Sequence, residues 1–125
     1  MRLKQLLSNN KGGVSFKKVV REFRGKEVAE FEQVNFKRGY FVALTDNRLL
    51  KQASKRDITK IDKLAYSLRL KKFYYGYWQD NNAIDVLDLS LHTNKKAEAV
   101  QLCKTFKQQA YYDCGKNDSI YIDTV

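Results

Sequence analysis

Two periods of apolar residues run along this chain, one helical and one alternating. Phe16, Val19, Val20 and Phe23 fall at i, i+3, i+4 and i+7, the spacing of one helix face. Ser15 as N-cap and Gly25 as stop would bound that helix. Val28, Phe31 and Val34 continue at a looser helical spacing, so Lys26 to Phe36 reads as a helical turn, with Val34 and Phe36 also able to begin a strand. Gly39 to Thr45, GYFVALT, alternates cleanly and predicts a strand, with Asp46-Asn47 as the turn after it. Lys55 to Leu70 predicts a second amphipathic helix with Ile58, Ile61, Leu64, Ala65 and Leu68 as its stripe.

Phe73 to Thr93 predicts a hairpin. Its first strand carries Tyr74, Tyr75, Tyr77 and Trp78, and its second places Leu87, Leu89 and Leu91 on one face. Gln79-Asp80-Asn81-Asn82 supplies a polar turn. A third helix follows over Lys95 to Gln108, then short strands over Gln109 to Cys114 and Ser119 to Asp123. From residue 39 the order is strand, helix, strand, strand, helix, strand, plus a last strand, which is the split βαβ order of a ferredoxin-like sandwich. The expected architecture is one α+β domain over residues 1–125, an antiparallel sheet of four to five strands covered by helices. Residues 1–38 would be a basic helical N-terminal region and residues 39–125 the sandwich.

Composition supports a folded domain: 43% of residues are hydrophobic and 13% aromatic, enough to build a core. No apolar run approaches the roughly 18 residues that span a bilayer, and the N-terminus lacks the apolar stretch of a signal peptide. A soluble cytoplasmic protein with no membrane partner is expected.

Charge changes the picture more. The net charge is +10. Residues 1–72 hold 19 Lys or Arg against 7 Asp or Glu, and residues 73–125 hold 5 against 7. On helical wheels Lys17, Lys18, Arg21 and Arg24 share one polar face, and Arg56, Lys60 and Lys63 another. Two such faces attract polyanions at long range. These seven residues are the expected nucleic-acid-binding set.

Catalytic chemistry finds little to stand on. Lys11-Gly12-Gly13-Val14 begins like a deviant Walker motif, but Ser15-Phe16-Lys17-Lys18 follows, without the later glycine and correctly placed lysine. His92 is the single histidine and has no Ser or Cys beside it. Asp80, Asp85 and Asp88 match no metal loop; Asp80 is expected to serve the turn and the other two to face solvent. Cys103 and Cys114 read as two reduced thiols. The expectation is a protein with no enzymatic role and no cofactor or metal. A metal-dependent nuclease built on the three aspartates and a protein–protein adaptor are the alternatives. Tyrosine-rich edge strands leave a homodimer open.

Gly76-Tyr77-Trp78, the run Asp88 to His92, Gln109-Ala110 and Tyr112-Asp113 give residues 39–125 a further character. They resemble small accessory proteins carried by phages and conjugative plasmids of Gram-positive bacteria. That resemblance implies an inhibitor of host defence, of the anti-CRISPR kind, gripping guide RNA, target DNA or an acidic patch on an RNA-guided nuclease. It implies no functional residue.

Overall fold

A single antiparallel sheet organises the chain. The computed structural model describes residues 1–45 and 47–123. In chain order the elements are α1 (Leu3–Ser8), β1 (Val14–Phe23), β2 (Lys26–Val34), β3 (Tyr40–Ala43), β4 (Asn47–Arg48), α2 (Lys55–Ser67), β5 (Tyr74–Gln79), β6 (Asp85–Thr93), α3 (Lys96–Thr105), β7 (Ala110–Asp113) and β8 (Asp118–Tyr121). The strands lie in the order β2-β1-β5-β6-β3-β7-β8. The two-residue β4 pairs with β6 at Leu87 and Val86, in line with β3. No helix of the described residues is long and apolar enough to cross a membrane.

The α+β class and the split βαβ order both hold. The elements β3-α2-β5-β6-α3-β7 place their strands as β5-β6-β3-β7 with antiparallel pairing throughout. The sheet is wider than expected because β1 and β2 extend it beyond β5; the expected last strand, β8, extends it beyond β7.

The helix expected from Ser15 to Arg24 is instead strand β1, and Lys26 to Phe36 begins as strand β2. The turn between them explains the outcome. Arg24 (φ 52) and Gly25 (φ 77) both take positive φ, flanked by the Phe23–Lys26 pair. Such a two-residue turn matches the twist of a hairpin and draws on glycine's freedom at its second position. The β-branched Val14, Val19, Val20, Val28 and Val34 suit strands as well. Lys17, Lys18, Arg21 and Arg24 therefore do not share a helix face. Lys17 and Arg21 project to one side of the sheet and Lys18 to the other, while Arg24 lies in the turn and caps the Phe23 ring at 5.3 Å.

Only Val14, Ser15 and Phe16 of β1 pair with β5. Beyond them β1 pairs with β2 alone, and the two strands overhang as an arm that leaves Val20, Phe23 and Val28 exposed.

The two faces of the sheet differ. One is covered by all three helices. Leu3, Leu6 and Leu7 from α1, Ile58, Ile61 and Ala65 from α2, and Ala99 and Cys103 from α3 pack on Phe16, Phe31, Val42, Tyr75, Tyr77, Leu87 and Leu89. The ring of Phe16 stacks on Tyr75 at 5.1 Å. The other, open face carries no helix among the described residues; a smaller cluster of Phe41, Tyr74 and Cys114, with Val34 and Phe36, packs there, and Val86, Asp88 and Ser90 of β6 are buried on it as well. Cys103 and Cys114 are free and lie on opposite faces, and burial pushes both thiols up.

Candidate nucleic-acid interface

Two basic dipeptides converge at one end of the open face. The first is Lys71-Lys72. Helix α2 starts with Asp57 accepting the backbone N–H of Ser54 (2.8 Å). It ends with Arg69 in left-handed backbone (φ 57), closed by Leu70 N–H to the Ala65 carbonyl (3.0 Å) and Arg69 N–H to the Tyr66 carbonyl (3.0 Å). That closure turns the chain sharply into β5, with Lys71 and Lys72 just ahead of it. The second dipeptide is Lys37-Arg38, in the turn from β2 to β3.

Both β3 and β5 run antiparallel to β6, with Tyr40 opposite Thr93 and Tyr74 opposite Ser90. Their starts therefore meet at the end of β6, and the two dipeptides meet with them. His92 fixes this corner. Its Nε2 donates to the Arg38 carbonyl at 2.9 Å; a carbonyl only accepts, so Nε2 carries the proton. Its ring stacks on Phe36 at 3.9 Å and 17°. Gly39 has φ +84, and a Cβ there would stand 2.5 Å from His92 Nε2. Only glycine fits.

Phe36 borders two adjoining grooves of about 510 and 490 Å³. The first is lined by Lys17, Lys18, Lys71 and Lys72, the second by Lys37, Arg38 and Lys72. Among the described residues no carboxylate lines either groove. Lys18 is occupied structurally: it pairs with Asp62 of α2, which also accepts from the Tyr75 hydroxyl. Burial first, then the bond to Asp62, raises the Tyr75 phenol far above its ordinary value, so it remains a donor. Lys17 has Glu32 at 4.0 Å but keeps a half-exposed side chain.

The remaining expected binding residues scatter. Arg21 lies between Glu30 (3.4 Å) and Glu32 (3.2 Å) on the arm. Arg56, Lys60 and Lys63 are exposed on the outward side of α2, behind the helix-covered face and away from the grooves. The expected set thus forms no continuous surface.

Lys71 and Lys72 stand out in the sequence beside the aromatic strand, but nothing there joins them to Lys37 and Arg38. Each dipeptide lies one residue ahead of a strand, and the split βαβ order brings those strand starts together. That was the available signal.

The aspartates do not converge. Asp80 serves the turn as expected, accepting from the Asn82 (2.8 Å) and Ile84 (3.0 Å) amides and pairing with Arg48. Those amides, Ile84 first, then Asn82 and Arg48, hold its carboxyl below the usual carboxylate range. Asp85 and Asp88 are buried rather than solvent-facing, and they point to opposite faces. Asp85 accepts from the Ala53 amide (2.8 Å), the Tyr77 hydroxyl (2.9 Å) and Gln79 (3.1 Å), tying the segment before α2 to the sheet. Among the described residues no three His, Cys, Asp or Glu side chains group closely enough to hold a metal ion. The turn expected at Asp46-Asn47 falls partly outside the described residues, since Asp46 is not among them; Asn47 opens β4.

Comparison with known proteins finds no matching family model, no similar curated protein and no similar solved structure.

Proposed function

We propose that this protein is a non-enzymatic binding protein that engages nucleic acid, free or within a nucleic-acid–protein complex, through the basic rim around Phe36. The observation that carries the reading is the gathering of Lys37, Arg38, Lys71 and Lys72 in grooves whose lining, among the described residues, holds no carboxylate; Lys17 beside them has Glu32 at 4.0 Å. Cations with no carboxylate beside them keep their counterions until a phosphate backbone replaces them, and release of those counterions drives binding. The rim, not the N-terminal arm, is the contact surface. Arg56, Lys60 and Lys63 supply long-range attraction from behind.

The test is binding of a labelled oligonucleotide over a salt series. The expected result is a linear fall of log K with log salt, steeper by about 0.7–0.9 for every phosphate contacted. Binding undetectable at low salt, or independent of salt, overturns the reading. Inhibition of an RNA-guided nuclease is a narrower form of it, suggested by the resemblance to mobile-element accessory proteins alone. Unchanged cleavage by such nucleases removes that narrower form and leaves the rim in place.

A further inference from the structure

The open face holds a third groove beside the rim, a trough of about 530 Å³. Its floor is a row of small residues: Ser15 opposite Gly76, Ala43 opposite Ser90, and Ala110 beyond them. A Cβ at Gly76 would come within 3.2 Å of the Ser90 hydroxyl, so that hydroxyl lies over Gly76 in the floor. Trp78 (39% exposed) and Tyr112 (38% exposed) flank it from opposite sides. Phe36 lines this trough and both grooves of the rim, so one ring borders all three.

We propose that the trough is a base-binding subsite for single-stranded nucleic acid whose phosphates lie along the rim. This deepens the reading of the rim and rests on it. The charges sort the two halves of a nucleotide. The rim is cationic, whereas among the described residues no lysine or arginine lines the trough, whose polar lining includes the amides of Gln33, Asn35 and Asn117. Neutral amides hold no charge for phosphate and suit the donors and acceptors on base edges. The exposed indole and phenol offer faces on which bases stack, with little regard to sequence. A duplex keeps its base faces stacked internally, so it reaches the rim through its backbone without entering the trough.

Trp78 is the single tryptophan of the chain, so its emission reports on the trough alone. Three probes separate the possibilities: an oligothymidylate of about ten nucleotides, the same sequence as a duplex, and inorganic polyphosphate. The single strand quenches Trp78 and binds at least about tenfold more tightly than the duplex. Duplex and polyphosphate bind without quenching. Ser15→Leu, which fills the trough from its half-buried floor, removes the single-strand advantage and leaves polyphosphate binding unchanged. Tyr112→Ala, on an exposed wall, lowers single-strand affinity about fivefold or more and also leaves polyphosphate binding unchanged. Equal binding of single strand and duplex with no change in emission overturns the base subsite while the rim stands. No binding by any of the three at low salt overturns both.

Discussion

Lys17 and Arg21 project from the same side of β1, yet their surroundings differ. Arg21 lies in the overhanging arm with a glutamate at 3.2 Å and another at 3.4 Å. Lys17 lies where β1 joins the body, with Glu32 farther off at 4.0 Å, and beside it Lys71 and Lys72 line a groove with no carboxylate among the described residues. The arm answers its own cations with Glu30 and Glu32 from the facing strand, whereas the rim gathers cations from three separate turns and strands. A run of basic residues in sequence therefore says little about surface potential until pairing decides which acids sit opposite. Exposed pairs such as those in the arm contribute about 0–1 kcal/mol each; their larger effect is to cancel charge that a polyanion would otherwise meet.

The comparison can be broken first at the level of stability. Phe16 is fully buried in the anchored half of β1, and Phe23 is 64% exposed in the arm. Phe16→Ala is expected to cost about 3–5 kcal/mol, and Phe23→Ala no more than about 0.5 kcal/mol, measured by urea unfolding. Equal losses would mean that the arm packs on something in solution. Next comes the corner that holds Lys37 and Arg38. Gly39→Ala forces a side chain into positive φ and onto His92, and about 2–4 kcal/mol is expected from strain and overpacking together. A neutral result would show that the corner is loose and the rim not preorganised.

Asp62→Ala sharpens the difference between Lys18 and its neighbours. It strands the Tyr75 hydroxyl and frees Lys18, costing about 1–3 kcal/mol of stability, while polyanion affinity rises slightly because one more cation joins the groove. Smallest is the acid response of Asp80. Its folded carboxyl lies below the ordinary value of 3.8, so its contribution is present in full above that value and is lost as pH falls through the lowered one. Asp80→Asn should flatten only that acid limb of a stability–pH curve.

Much of the fold was legible. Period-two alternation in GYFVALT and the leucines of β6, and the stripe of α2, are patterns imposed by one buried face, and each gave the right element. The arm was not legible for the same reason. It overhangs the core, so no buried face enforces alternation, and Phe16, Val19, Val20 and Phe23 matched helical spacing though they point to different faces of a strand. The local clue was Gly25, which the sequence also offers as a helix stop and which takes positive φ in the hairpin turn with Arg24. Asp85 was read as solvent-facing because a buried carboxylate needs partners that sequence cannot display; here they come from Ala53, Tyr77 and Gln79. The rim depends on topology, which joins Lys37-Arg38 to Lys71-Lys72 across the sheet.

The central claim is that unopposed charge at the rim, and not the charge of the arm, meets nucleic acid. Oligonucleotide affinity of Lys71→Glu/Lys72→Glu set against Arg21→Glu/Arg24→Glu, at one low salt concentration, tests it most directly. The rim variant is expected to lose at least about tenfold and the arm variant less than about threefold. A larger loss in the arm variant, or equal losses in both, would contradict it.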